Sequence, residues 1–528
     1  MGVGMPGHYI VKYSLPLEPI YFDPFHQGRL LTKKECVKIV EQFGHQFEEH
    51  FLSQSTQRET LVRMLNNLRQ VYLNSNETKK AETLTEYIKI LNKSPSFDPD
   101  WKANGHMDRV LDLAKHWAKN HLPTGADLII KETDGKTPLI LIDVPGDKSG
   151  NALMYGHLDK QPEMEGWDEG LGPWNPVLKE EKLYGRGGAD DGYALFASLC
   201  ALNALKEQSV PLPRILILIE FSEESGSPDL PHYMSVCADI IGKPDLVVCL
   251  DSGAGDYKRF WTTTSLRGLI GGTLRVDVLT EGVHSGGASG YVPSSFRVAR
   301  QLLSRLENES TGEIMLDELK TDIPNYRIKE TENFVKILGN EVVEEFPWKN
   351  KMNPSTSGLV EGVLRRTWRP ALSVVGADGL PPSDNAGNVL RPYTQLQLSM
   401  RIPPMVDHIK AQRTIEKTLT DDPPYNASVS VHFEEPASGW NAPETLTWLA
   451  DAMNFASIEY FGESSSSISE GGTIPFMAML GKQFPEAQFV ITGVLGPQSN
   501  AHGPNEFLHI PYAKKLTACV ASILSDFP

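Results

Sequence analysis

Apolar positions recur at helical spacing within residues 29–95, at Val37, Val40, Phe43 and Phe47 and again at Leu61, Met64 and Leu68. This spacing predicts an N-terminal helical section. A further amphipathic helix is expected over 101–122, bearing Met107, Val110, Leu111 and Leu113. Short continuous apolar runs follow: LILIDV at 139–144, ALMYG at 152–156, ILILIEF at 215–221 and DLVVCLD at 245–251. Such runs predict strands buried on both faces. Helical stretches at 194–205 and 230–241 alternate with them, the order of a mostly parallel sheet covered by helices.

After Arg267 the texture changes. GGTLRVDVL, TQLQLSMRI (394–402) and ASVSVHF (427–433) alternate by twos, with a helical stretch at 294–306 between them. Period-two alternation predicts a half-exposed antiparallel sheet. Beyond EPASGWNAP (435–443) the chain returns to helix and then to the apolar run FVITGVL (489–495). The expected architecture is therefore α/β. A catalytic unit with a mostly parallel or mixed sheet, residues 101–267 and 438–528, is interrupted by an α+β unit over 268–437 and preceded by a helical extension over 1–100.

The 528 residues are long enough for more than one core. Lys and Arg number 50 against 67 Asp and Glu, a net charge of -17, which argues against a nucleic-acid partner. No run approaches the ~18 apolar residues of a membrane span, and the first residues, MGVGMPGHYIVKYSL, lack the pattern of an export signal or lipid anchor. Cys36, Cys200, Cys237, Cys249 and Cys519 are odd in number and widely spaced, as expected of reduced residues in a cytoplasmic protein.

Candidate chemistry lies where the apolar runs end, because open α/β sheets bind ligands beyond the carboxyl ends of their strands. ALMYG runs into His157-Leu158-Asp159; if the chain stays extended, imidazole and carboxylate share a face, as for a metal-bound histidine and the carboxylate that orients it. Asp190 and Asp191 stand together in the turn GRGGADDG, where a cation would relieve their repulsion. ILILIEF ends at Glu223-Glu224, and where the chain turns one glutamate can bind a metal while the other stays free to take a proton from water. DLVVCL delivers Asp251, and the loop AHGPNE carries His502. Each alone has an ordinary structural reading as core histidine, helix cap or surface acid. Together, two His and three carboxylates without Cys suit borderline divalent ions such as Zn, Mn or Co, and a bridging carboxylate could hold two of them.

With these strings in place, YGHLDKQPEMEGWDEG, LYGRGGADDG, FSEESGS, LDSG, TSLRG, GVHSGG, LSMRIPP, SEGGTIPF and AHGPNE, residues 101–528 resemble the M20 metallopeptidases and, within them, the carnosinase-like dipeptidases. Residues 1–95 carry no comparable string. The resemblance implies two divalent ions per subunit, with Zn ahead of Mn or Co. His157, Asp190 and Asp251 would hold one, and Asp190, Glu224 and His502 the other. Glu223 would be the general base and Asp159 would orient His157, with the Asp190–Asp191 peptide cis. It further implies substrate contacts from His284, Asn388, Arg401, Gly472 and Thr473, and a homodimer through the inserted unit in which His284 reaches the partner's site. The chain departs from the family pattern at Gly192-Tyr193, where Lys-Gly is usual, and at Pro392, a displaced proline after Asn388.

The reaction expected is hydrolysis of the amide bond of a dipeptide or small peptide with a free carboxylate. The same ligand set would also serve an N-acyl amino acid deacylase, a desuccinylase or a glutamate-releasing carboxypeptidase. A metal-binding scaffold without activity is the remaining alternative.

Overall fold

A computed structural model describes residues 2–5, 8–13, 19–23, 29–42, 46–52 and 77–528. Its centre is a nine-stranded mixed sheet with the order Trp440–Asn441, Trp261–Leu266, Gln488–Ile491, Leu246–Cys249, Asn151–His157, Arg214–Glu220, Leu139–Val144 and Asp127–Lys131; Ser466–Glu470 pairs alongside Trp261–Leu266. The four middle strands, Gln488–Ile491 through Arg214–Glu220, run parallel, and antiparallel pairs flank them.

Why these runs form buried strands is visible in how their residues divide. Ile140, Ile142, Ala152, Met154, Ile215, Ile217, Leu246 and Val248 enter one core. Their neighbours Leu139, Leu141, Leu153, Tyr155, Leu216, Leu218, Val247 and Cys249 enter another on the opposite face. Alternate side chains of a strand point to opposite sides, so a continuous apolar run fills both layers. The helices Tyr193–Glu207, Thr447–Phe461 and Ile510–Ser525 cover the first face. Leu230–Val236 and Pro475–Gln483 cover the second.

A separate four-stranded antiparallel sheet is ordered Ala371–Asp378, Tyr393–Ile402, Gly268–Asp277, Ser428–Phe433. Its two central strands alternate strictly between buried and half-buried residues. The buried face packs on the helices Ser295–Leu303 and His408–Thr420 through Val298, Leu302, Ile415 and Leu419. The predicted half-exposed sheet is thus present, and its strands span the range from Gly268 to Phe433.

The N-terminal section differs from expectation. Gly2–Met5, His8–Tyr13, Ile20–Asp23 and Arg29–Leu31 form an antiparallel sheet, followed by the helix Lys33–Gln42. Ile10, Tyr21, Leu31, Cys36, Val40 and Leu52 make a small core of their own. The strands lie almost entirely before residue 29, outside the stretch with helical spacing. The helical positions expected at Phe43, Leu61, Met64 and Leu68 lie outside the described residues. The section does contain the helix Glu77–Ile88.

The strand that ends at His157 has little room at its tip. A Cβ on Gly156 would lie 2.5 Å from Ala194 Cβ and 2.7 Å from Asp191 Oδ2. Gly156→Ala should therefore destabilise the fold by about 1–3 kcal/mol through overpacking, read as a lower denaturation midpoint in urea; an unchanged midpoint would show that the tip yields.

Candidate metal centre

The parallel strands converge their carboxyl ends on one crevice. Asn151–His157 presents His157 directly, and Arg214–Glu220 leads into the short helical turn Glu223–Ser225. Leu246–Cys249 is followed by Asp251, and the loop after Gln488–Ile491 carries His502 in left-handed backbone, φ 64°. Asp190 and Asp191 come from the turn before the helix Tyr193–Glu207, joined by a cis peptide bond.

Asp190 lies between the two histidines. Its Oδ1 is 3.4 Å from His157 Nε2, and its Oδ2 is 3.0 Å from His502 Nε2. Asp251 Oδ2 stands 3.7 Å from His157 Nε2, and Glu224 Oε2 stands 3.2 Å from His502 Nε2. Glu223 Oε2 is farther out, 4.0 Å from His157 Nε2. The ligand atoms of His157, Asp190 and Glu224 lie within 4.8 Å of one another, as do those of His157, Glu223 and Asp251. The structure therefore brings together His157, Asp190, Glu223, Glu224, Asp251 and His502, which are spread over most of the chain in sequence.

Asp159 performs two contacts. Its Oδ1 faces His157 Nδ1 at 3.3 Å, and its carboxylate accepts the backbone N–H groups of Glu223 at 3.1 Å and Glu224 at 2.9 Å. One carboxylate thus fixes both the histidine ring and the glutamate turn.

Burial and charge pull the groups apart electrostatically. Partial shielding from water opposes charge on His502, whose ring is otherwise exposed, yet the carboxylates of Asp190 and Glu224 outweigh it and push its pKa up to about 11. Burial likewise opposes charge on His157, and Asp159 and Asp190 reverse the effect, holding the ring well above its usual range. Asp190 would be raised by burial but is held well below the usual carboxylate range by the two imidazoles. Burial raises Asp251 to about 7, with Asp190 and Glu224 adding repulsion. Glu223 is pushed well above its ordinary value by burial and by the Asp251 charge.

The donor set fits a pair of divalent cations. His157 is fully buried, and its ring nitrogens face carboxylates at 3.3 Å and beyond without a well-aligned hydrogen bond, an arrangement costly unless an ion completes it. Asp190 turns one oxygen to each histidine, and all the donors are nitrogen or carboxylate oxygen.

The other sequence-selected residues lie beside the second sheet. Arg401, on Tyr393–Ile402, donates to Thr473 Oγ1 at 2.9 Å, and Thr473 donates to the Arg267 carbonyl at 2.5 Å. Gly472 is exposed in the same turn. His284 and Asn388 meet on a two-stranded ribbon: His284 pairs with Val389, and the Ser285 N–H donates to the Asn388 carbonyl at 2.9 Å. Both are exposed, and among the described residues neither hydrogen-bonds to the cluster.

Sequence reasoning passed over Glu506. It is fully buried, pairs with Arg186 at 2.7 Å, and accepts N–H groups from Gly187 and Ala189 at 2.9 and 3.3 Å. Arg186 also donates to the Gly503 carbonyl at 2.8 Å. The pair thereby ties the Asp190 turn to the His502 loop. Its signal was the last letter of AHGPNE, an acid ending a Gly/Pro/Asn-rich loop.

Comparison with known proteins places this site in context. The family described as Peptidase family M20/M25/M40 matches residues 153–526. A second description, Transglutaminase-like superfamily, matches residues 1–66, a stretch in which the sequence had offered no resemblance. Among curated relatives, the cysteinylglycine-S-conjugate dipeptidase of Corynebacterium striatum is 25% identical over 462 residues, covering 84% of this chain and 95% of its own. The human Beta-Ala-His dipeptidase is 23% identical over 469 residues, with 82% and 87% covered. Among solved structures, the di-peptidase Dug1p of Saccharomyces cerevisiae superposes with a TM-score of 0.69 at 20% identity, covering 90% of this chain and 99% of its own. Human carnosine dipeptidase 1 gives 0.67 at 19%, covering 89% and 99%. At these identities the superpositions speak to the fold.

Because the neighbouring carboxylates favour the charged imidazoles of His157 and His502 in the metal-free protein, cation binding should expel protons, since only the bare imidazole is a ligand. Apparent affinity for Zn should accordingly rise with pH. Calorimetry in buffers of different ionisation enthalpy should report net proton release, and heats independent of buffer would contradict it.

Proposed function

Because the chain belongs to peptidase family M20/M25/M40, we propose that the crevice at the ends of its parallel strands is the dinuclear centre of a dipeptidase. The protein is a metallopeptidase that hydrolyses dipeptides in a metal-dependent reaction. The observation that carries the residue assignment is Asp190, whose two oxygens face two different histidines.

His157, Asp190 and Asp251 would hold one ion, and Asp190, Glu224 and His502 the other. Such ions supply Lewis acidity, which polarises a peptide carbonyl and makes water a stronger nucleophile near neutral pH. Zn is proposed ahead of Mn or Co because the donors combine imidazole with carboxylate. Glu223 is the proton carrier. Its raised pKa and its place at the edge of the cluster suit a group that accepts a proton from the attacking water and returns it to the leaving amine. Asp159 keeps the His157 ring and the Glu223 backbone in register.

Arg401, held by Thr473, is proposed to grip the carboxylate of the substrate, a role suited to a planar guanidinium. Gly472 leaves the adjoining turn without a side chain. His284 is proposed to reach a substrate in the partner subunit's site, and Asn388 to contact substrate. Supporting this, the strand Ala371–Asp378 lies at a sheet edge, with Val374 and Val375 47% and 65% exposed, a surface suited to strand pairing between copies. We accordingly propose a homodimer joined through residues 268–437, with 101–267 and 438–528 as the catalytic unit and 1–100 as an extension. No described helix is long and apolar enough to cross a membrane. A cytoplasmic location is proposed from the five cysteines, which form no disulfide among the described residues and are mostly buried.

Protein of known metal content, assayed on a dipeptide panel, should release amino acids, lose activity to a chelator and regain it with Zn or Mn; no release from any dipeptide would reject the assignment. Glu223→Gln should lower kcat by roughly three or more orders of magnitude with metal content unchanged, an estimate set by the size of general-base contributions at metal-assisted sites. Arg401→Ala should raise KM for dipeptides while sparing substrates whose terminal carboxylate is amidated; equal losses on both would remove Arg401 from that role.

A further inference from the structure

One fully buried lysine follows the metal-centre strand in the chain. Lys160 follows Asp159 in the chain, is 0% exposed and has no carboxylate at ion-pair distance among the described residues. Its Nζ instead donates to the carbonyls of Tyr87 at 2.7 Å, Ile90 at 2.8 Å and Ile88 at 3.4 Å. It also lies 3.9 Å from the centre of the Tyr87 ring and 5.3 Å from that of Trp174. The carbonyls belong to the last turn of the helix Glu77–Ile88 and the residues just after it. Carbonyls there lack helical partners and carry partial negative charge, so the lysine caps the helix from outside.

The segment so held touches both loops of the centre. Tyr87 and Asn92 donate to the Leu158 carbonyl, at 3.2 and 2.5 Å, between His157 and Asp159. The Ser94 N–H donates to the Lys160 carbonyl at 2.9 Å. Ser94 Oγ lies 2.5 Å from Ser225 Oγ, and the Ser96 N–H donates to that same oxygen at 3.0 Å, directly after Glu223-Glu224. The glycine-rich turn before Asp190 is shaped to admit this packing. A Cβ on Gly187 would lie 2.7 Å from Lys160 Cγ, and Cβ atoms on Gly185 and Gly192 would collide with Ile88 and Tyr87. The departure at Gly192 thus coincides with the seat of the Tyr87 ring.

We propose that Lys160 is a positioning residue for the metal centre: by anchoring residues 87–96 across the two loops, it sets the spacing between His157 and Asp159 on one side and Glu223 and Glu224 on the other. A fully buried amine without an ion-pair partner depends on its acceptors staying in place, and without it the Ile88 and Ile90 carbonyls lose the donor the lysine supplies while the Tyr87 carbonyl keeps only the Ile90 N–H. The lysine and the segment therefore hold each other, and the segment holds the loops. The region that does this precedes residues 153–526, which match the peptidase family.

This inference rests on the proposed metal centre, and the test separates the two. Lys160→Met preserves the apolar stem and removes the donors. Titrated with Co(II) and followed by visible absorption, it should bind the ion about tenfold more weakly, with a changed spectrum, and kcat should fall about tenfold while KM stays within about twofold, the scale of supporting contacts around metal ligands. Leu302→Ala, in the core of the second sheet, is the control for lost stability and should leave the affinity and spectrum unchanged. Should Lys160→Met fail to fold, Ser94→Ala should move the same readouts in the same direction. Wild-type Co(II) affinity and spectrum in the folded lysine variant, or in Ser94→Ala if it alone folds, would overturn the proposal, as would equal changes in Leu302→Ala. Absence of Co(II) binding by the unaltered protein would instead reject the metal centre itself.

Discussion

Repulsion among buried like charges is the constraint on which the structure turns. Asp159, Asp190, Asp191, Glu223, Glu224 and Asp251 gather around His157 with little access to water. Carboxylates in such surroundings take up protons or draw in cations. Two histidines settle which does which. Asp190 faces both and stays ionised, whereas Glu223 faces Asp251 and is driven toward the protonated form. The same burial thus yields an ionised carboxylate in one place and a proton-retaining one a few ångströms away, the separation that the proposed roles of ligand and proton carrier require.

A repelling cluster cannot hold its own shape, so the surrounding contacts carry that burden. Asp159 accepts two backbone N–H groups of the glutamate turn. Glu220 accepts the Tyr155 and Ser227 hydroxyls at 2.6 and 2.8 Å, fixing the end of the strand that leads into the turn. Arg186 and Glu506 bind the Asp190 turn to the loop bearing His502. These groups are themselves buried, so each must be nearly saturated with partners, and that saturation makes the loops rigid. His502 is the exception. It is exposed on a loop with several residues in left-handed backbone, so its position depends on Asp190 and Glu224.

The sequence made the parallel strands legible because they are continuous apolar runs, and the cluster legible because its members stand where those runs stop. His157, Glu223, Glu224 and Asp251 each follow a strand within a few residues. What remained hidden depends on distant partners. Glu506 reads as an ordinary loop acid until Arg186, 320 residues away, is placed beside it. Lys160 reads as a solvated surface lysine, and only the fold reveals carbonyls 70 residues upstream around its Nζ. The N-terminal strands escaped for a different reason: each has only three to six residues, too few for period-two alternation to stand out from chance. His284 and Asn388 came from resemblance alone, and the fold sets them together on one exposed ribbon.

The seam between the two sheets adds a further constraint. Gly268 and Gly439 press against each other where the chain crosses, with no space for a Cβ on either. Beside them, Arg267 donates to the Gly471 carbonyl at 3.3 Å, while Thr473 links the Arg267 backbone to Arg401. Arg401 therefore belongs by sequence to the second sheet but is fastened to the first, on the same body as the metal centre. On the proposed role of Arg401, a carboxylate held there would stand at a set distance from the cluster, and a fixed distance between a terminal grip and a reacting centre selects substrates by length. The ribbon carrying His284 has no such fastening among the described residues: Arg401 is placed by hydrogen bonds that cross the seam, whereas His284 and Asn388 are placed by the ribbon's own pairing.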